Sequence, residues 1–158
     1  MILPILTALL LMANSEASTE ALKGAWIDID LEKALANHEK NADTKAFCES
    51  AHYENGEADV ILRFTGEGKV LHCRLDQREQ GPCYEFGELS GDRLKLKYQD
   101  GSILSGKVQT VSPTQIHIEV DQPKIGEITP VEVWELAKVQ ESRIAHLYQA
   151  FQIGRAHV

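Results

Sequence analysis

The dominant pattern along this chain is an alternation of apolar and polar positions in short segments separated by turn residues. It is clearest where Leu94, Leu96 and Tyr98 alternate with basic residues. Such a period of two is typical of strands with one buried face. Eight candidate strands recur with short connections, within 22–29, 60–65, 70–75, 83–89, 93–98, 103–111, 116–120 and 131–139. This spacing predicts an all-β fold, an antiparallel meander of eight strands closed into a small barrel.

Two segments depart from this alternation and predict helices. Near the end of the chain, Ile144, Leu147 and Phe151 follow the spacing of one helical face. A helix this short needs tertiary contacts, so we expect it to pack on the outside of the barrel. After the first strand, Asp30 is the predicted N-cap of a second short helix.

The first 17 residues have the composition of an export signal. The apolar run Ile2–Ala13 has the length of a signal core and is too short to span a membrane. Small residues at Ser15 and Ala17 suit a cleavage site, although no Lys or Arg precedes the run. These features predict an exported protein, periplasmic or extracellular. The alternative interpretation of the apolar run is a buried helix of the domain.

The last six residues, Ile153–Val158, match the translation of a widely used sequencing adapter. We interpret 153–158 as a scar of cloning or sequencing, and such segments are set aside in reasoning about fold. His157 is accordingly not a candidate for function. The domain is then expected to cover 20–151, and the codons of the encoding DNA test this interpretation.

Length and composition exclude several classes of protein. The 158 residues fit one domain, and a chain that is 43% apolar and 25% charged is too apolar for intrinsic disorder. The formal net charge of −8 argues against a nucleic-acid partner, which would call for a basic surface. After the first run no segment is apolar enough to span a membrane, so we expect no membrane span in the mature chain.

In an exported protein one disulfide is expected, so the three cysteines predict one disulfide and one remaining thiol. Cys73 and Cys83 enclose a segment of hairpin size and are the preferred pair. The competing pairings join Cys48 to either of them, which would tie the polar segment 41–56 to the sheet.

No constellation of residues in the sequence points to catalysis. The histidines lack the spacing of a metal site, and no nucleophile or nucleotide-binding motif occurs. His72 and His117 lie in the middle of strands, where a side chain faces either the solvent or the barrel interior. We therefore expect a protein that is not an enzyme and that needs no cofactor or metal.

Three short segments carry a resemblance to a known family. Gly24 and Trp26 form a Gly-x-Trp triplet in the first strand, and the hairpin segments 89–96 and 111–116 follow. In these features the chain resembles lipocalin-like (calycin) domains of bacterial exported proteins. The resemblance implies that Gly24 and Trp26 close one end of the barrel. It also implies that a basic residue, Lys138 or Arg143, packs across the tryptophan.

An eight-stranded barrel is just wide enough to hold one small ligand, as lipocalins do. The expected function is therefore the binding of a small hydrophobic ligand by inward side chains. The candidates are Leu62, Phe64, Tyr84, Phe86, Leu96, Tyr98, Ile116 and Ile118, with Leu94 and Trp134 also predicted to face inward. The alternative is a filled barrel in an envelope or extracellular interaction protein, such as an inhibitor or assembly factor.

Overall fold

A computed structural model describes residues 20–41, 58–75, 80–98 and 100–156. The predicted export signal and Cys48 lie outside these residues. The strands are β1 (Gly24–Asp28), β2 (Ala58–Phe64), β3 (Lys69–Leu75), β4 (Gln80–Ser90), β5 (Arg93–Lys97), β6 (Ile103–Ser112), β7 (Gln115–Asp121) and β8 (Val131–Val139). The helices are α1 (Ile29–Asn41) and α2 (Glu141–Ala156).

The eight strands form one closed barrel in which each strand pairs with the next and β8 pairs with β1. Every pairing is antiparallel. The ring closes where Trp26 of β1 lies opposite Leu62 on one side and Lys138 on the other. The predicted fold class, a closed antiparallel meander with a C-terminal helix, is confirmed.

Side chains are buried in two separate cores because the strands present two faces. The inner core fills the barrel and includes Trp26, Phe64, Leu96 and Ile118. The outer core lies where the helices cover β1 and its neighbours, and Leu35 of α1 and Leu147 of α2 are fully buried in it. The wall under the helices is therefore apolar on both faces, whereas the rest of the wall alternates.

Helix α1 begins earlier than the sequence pattern predicts. The carboxylate of Asp28 accepts a hydrogen bond from the backbone N–H of Asp30 at 2.9 Å. Asp28 is therefore the capping residue, and the prediction of Asp30 as the cap is wrong by two positions. Asp30 instead lies in the first turn, where an acidic side chain interacts favourably with the helix dipole.

Helix α2 is held against α1 by Arg143. Its guanidinium donates to Glu32 at 2.6 Å and to Glu39 through Nε at 3.2 Å. These carboxylates raise the pKa of Arg143, with the hydrogen bond to Glu39 as the largest cause. The helix extends to Ala156, beyond Phe151. Neither of the two helices named here is long and apolar enough to cross a membrane.

A β-bulge in β4 changes which residues face inward. Val70 lies opposite Gly87, but its neighbour Leu71 lies opposite Glu85, so β4 contains one extra residue here. Without the bulge, the face of Tyr84 and Phe86 would continue to Glu88. With it, Glu88 is exposed and Leu89 is buried in the inner core. The bulge therefore keeps a charged side chain out of the barrel.

Candidate ligand site

Trp26 lies inside the barrel near the start of β1, at the end of the barrel that we call the Trp26 end. Its side chain is 1% exposed, and its indole N–H donates a hydrogen bond to the carbonyl oxygen of Leu22 at 2.8 Å. Leu22 is itself buried in the inner core. A buried indole N–H needs such a partner, so the segment before β1 is fixed over the ring.

Lys138 packs across the same ring from β8. Its ammonium nitrogen lies 5.8 Å from the centre of the Trp26 ring and donates to the carbonyl oxygen of Ala21 at 3.2 Å. Gly24 allows this approach, because a Cβ there would lie 3.2 Å from Cε of Lys138 and its φ is +130°. Of the two candidates for the basic residue across the tryptophan, Lys138 is therefore the one that packs there. Arg143 instead joins the two helices.

The middle of the barrel is filled by aliphatic side chains. Those that are no more than 1% exposed include Val70, Leu94, Leu96, Ile116 and Ile118. They come from β3, β5 and β7, so they meet from several sides of the interior. The middle of the barrel is therefore closely packed.

Inward side chains at the opposite end of the barrel from Trp26, which we call the Tyr98 end, are only half-buried. They pack on the inner core yet retain contact with solvent: His72, Tyr84, Tyr98, Leu104 and Trp134. These side chains are more exposed than those in the middle of the barrel, although Val120 of β7 is fully buried. We call this group of half-buried apolar and aromatic side chains the cup; their chemistry is the kind that can bind small molecules.

Aromatic rings follow one side of this cup. The ring centres of His72 and Tyr84 are 5.2 Å apart, and those of His72 and Phe86 are 5.1 Å apart. Phe86 contacts Tyr98 edge-to-face at 5.2 Å. These are favourable geometries for ring pairs. The ladder runs over β3, β4 and the residue that follows β5, and its members hold one another in place.

Charged groups border the ladder. The guanidinium of Arg74 lies 5.8 Å from the centre of the Tyr84 ring, within the range of a cation–π contact. Burial raises the pKa of the Tyr98 hydroxyl, and the charges of Glu132 and Tyr84 raise it further. Tyr98 therefore remains a neutral hydroxyl at physiological pH and carries both a donor and an acceptor.

All eight predicted ligand residues lie in one cluster inside the barrel. Most are packed in the filled part, and two of them, Tyr84 and Tyr98, reach the Tyr98 end. Sequence reasoning missed Arg74, Leu104 and Glu132. Arg74 could have been predicted from the sequence, because the alternation of β3 continues through Val70 and His72 to Arg74.

The disulfide joins Cys73 to Cys83, as predicted. The two residues lie directly opposite each other on β3 and β4, with their Cα atoms 4.1 Å apart. The next pair along these strands is His72 and Tyr84. The covalent link therefore fixes the strand register beside the ring ladder.

The two mid-strand histidines face opposite ways. His72 belongs to the ring ladder, whereas His117 is on the outer wall with its Nε2 3.8 Å from a carboxylate oxygen of Glu135. Within the described parts of the chain, no group of three or more His, Cys, Asp or Glu side chains is arranged to hold a metal ion. His52 lies outside those parts.

Two shallow grooves lie on the outer wall of the barrel. One, over β5 to β7, has a volume of about 340 Å³ and is lined by Arg93, Lys95, Lys107 and Glu119. The other, over β4 to β6, measures about 450 Å³ and includes Glu88. Both are bordered by charged side chains, and neither lining includes an aromatic ring like those at the Tyr98 end.

No protein-family model matches this chain, and no curated protein matches it at a significant level. The case for a function therefore rests on the geometry of the barrel.

Proposed function

We propose that this chain is an exported, lipocalin-like and non-enzymatic protein that binds one small hydrophobic ligand at the Tyr98 end of its barrel. The observation that carries the proposal is the partial exposure of large inward side chains at the Tyr98 end. Leu96 and Ile118 are fully buried, whereas Tyr84, Tyr98 and Trp134 are half-buried although they face inward. A barrel that served only as a core would gain stability by burying these large side chains completely.

The arrangement at the Trp26 end supports the lipocalin-like part of the proposal. Gly24, Trp26 and Lys138 combine the triplet and the covering basic residue that the family resemblance implies. Export is supported by the Cys73–Cys83 disulfide, since disulfides persist mainly in oxidising compartments. The apolar run at 2–13 agrees with this location.

A titration with N-phenylnaphthylamine, a neutral fluorescent probe, and with a set of fatty acids tests the proposal. We expect saturable binding of at least one of them with one site per chain. Leu104→Lys places a charge among the half-buried inward side chains and should weaken binding at least tenfold. Val133→Lys adds the same side chain on the exposed outer wall of β8 and should leave the affinity unchanged.

Circular dichroism and thermal unfolding of both variants establish that they are folded. Absence of saturable binding by folded wild-type protein would overturn the proposal. So would equal binding by the wild type and a folded Leu104→Lys variant.

The second candidate is a non-enzymatic interaction protein with a filled barrel. It is favoured by exposed aliphatic side chains on the β7–β8 connection and the start of β8. Ile125 and Ile128 are 73% and 71% exposed, and Val131 and Val133 are both more than half exposed. Patches of this kind often mark protein contacts. This candidate predicts no saturable binding of the probe or of any fatty acid in the titration above.

A further inference from the structure

The shape of the filled region limits the ligand to a short molecule. An extended acyl chain needs a channel along the barrel axis. That path is occupied by side chains that are at most 1% exposed, among them Leu94, Leu96 and Ile116. Opening a channel would require several close-packed residues to move together, which costs packing energy. The cup at the Tyr98 end therefore suits a compact ligand better than a long chain.

The lining of the cup favours a flat ring. His72, Tyr84, Phe86 and Tyr98 present ring edges and faces in a fixed array, with centres 5.1 to 6.2 Å apart. Trp134 adds a further half-buried ring from β8. Aromatic pairs gain favourable free energy beyond that of the area they bury when the rings are offset or edge-to-face. An aliphatic ligand of the same size buries area but gains nothing from this geometry.

The charges around the cup favour a neutral ligand with a hydroxyl group. Arg74 offers only donors and a positive charge on the β3 side, and Glu132 offers only acceptors and a negative charge on the β8 side. Because the border of the cup carries charges of both signs, it favours neither an anion nor a cation. A hydroxyl group both donates and accepts, so it can pair with the hydroxyl of Tyr98, which does the same.

From these three features we infer that the ligand is a planar, neutral aromatic compound carrying a hydroxyl group, bound against the ladder of His72, Tyr84, Phe86 and Tyr98. This inference rests on the proposed function, because it names the ligand class of the same site. It narrows the broader class of small hydrophobic ligands and excludes long fatty acids as preferred ligands.

Calorimetric titration with naphthol and decanol tests the inference. The two compounds have the same number of carbons and one hydroxyl each. The main difference is that naphthol has a flat aromatic ring system and decanol has a flexible alkyl chain. We expect naphthol to bind at least tenfold more tightly than decanol. Naphthoate, which adds a negative charge to the same rings, should bind more weakly than naphthol.

Variants at Tyr98 separate the ring from its hydroxyl. Tyr98→Leu removes the ring and should weaken naphthol binding at least fivefold while changing decanol binding little. Tyr98→Phe keeps the ring and should lose less. Lys97→Leu is the matched control, because it introduces the same side chain at the neighbouring position, on the exposed outer face of β5. We expect it to leave both affinities unchanged.

The outcomes distinguish the inference from the proposed function. If decanol binds as tightly as naphthol, or if Tyr98→Leu weakens both equally, the ligand class is wrong while binding in the barrel stands. If folded protein binds neither compound, nor the probe and fatty acids of the first titration, both proposals fail.

Discussion

The contacts of Trp26 explain why one end of the barrel is well packed. Its indole is buried, its N–H is paired with Leu22, and Lys138 covers its ring. Each contact satisfies a need that burial of a large amphipathic side chain creates. Trp134, the second tryptophan of the chain, is half-buried on β8. The two tryptophans therefore mark the filled and the accessible regions of the same interior.

Gly87 is a residue at which a single methyl group is expected to be costly. A Cβ at this position would lie 2.1 Å from the carbonyl oxygen of Lys95, which belongs to the paired strand. Gly87→Ala must therefore displace backbone and should lower the free energy of unfolding by about 3 kcal/mol. Urea denaturation measures this loss.

Gly91→Ala is the matched control for Gly87→Ala. Gly91 has a φ of +61°, but nothing lies within 4 Å of a Cβ there. Only the backbone conformation opposes this substitution, and we expect a loss of about 1 kcal/mol. Equal losses at the two positions would show that the close approach between β4 and β5 is wrong.

Ionisation of the Tyr98 hydroxyl is expected to destabilise the folded protein at alkaline pH. Burial, Glu132 and Tyr84 hold the pKa of its hydroxyl above the ordinary value of 10.0. The unfolded chain therefore releases this proton at a lower pH than the folded chain does. The stabilisation is complete below pH 10.0 and is lost as the pH rises through the pKa of the folded state.

Urea denaturation of the wild type and Tyr98→Phe on both sides of this pH measures the effect. The free energy of unfolding of the wild type should fall more steeply with rising pH than that of the variant. Parallel pH profiles for the two proteins would contradict the placement of the Tyr98 hydroxyl.

At the scale of elements, the sequence predicts the strands well because most of them have one buried face. The alternation of Leu94, Leu96 and Tyr98 survives in the structure as regular inward and outward positions. It fails in β4, where the bulge moves Glu88 outward and Leu89 inward. Gly87 is the only local sign of this change, since an isolated glycine in a strand often marks a bulge.

The site was harder to predict than the strands that form it. Alternation tells which residues face inward, and the eight predicted ligand residues do share the interior. It does not tell how far along the barrel axis each residue lies, because that depends on the register of each strand pair. The division between the filled half, with Ile116 and Ile118, and the half-buried rings of Tyr84 and Tyr98 follows from that register.

The disulfide between β3 and β4 is expected to stabilise the pairing of these two strands. In a Cys48→Ser background, Cys83→Ser removes the bond without leaving a second thiol to pair with Cys73. Because the cross-link joins residues ten positions apart, its loss should lower the free energy of unfolding by about 2.5 kcal/mol in the chain-entropy model. Urea denaturation measures the change.

Cys48→Ser alone is the control for this prediction. It leaves the Cys73–Cys83 bond in place, so the stability should match that of the wild type. Peptide mapping under oxidising conditions should find Cys48 as the thiol that is left over. A disulfide that contains Cys48, or a large loss of stability in the control, would contradict the pairing.

At the scale of the whole molecule, the two cores have different roles: the outer core attaches the helices, and the inner core fills the barrel. The outer core fixes α1 and α2 on the wall around β1, where Leu35 and Leu147 are fully buried. The inner core fills the barrel from the Trp26 end through its middle, and we propose that the ligand binds at the Tyr98 end. Stability is therefore expected to depend on the buried regions, and ligand affinity on the half-buried rings.

The indole N–H signals of the two tryptophans test this account most directly. In proton–nitrogen correlation NMR spectra recorded during a titration with naphthol, the signal of Trp134 should shift and saturate at one equivalent. The signal of Trp26, which is buried and paired with Leu22, should stay in place. A shift of Trp26 without Trp134, or no saturable shift of either signal in the folded protein, would contradict a ligand site at the Tyr98 end.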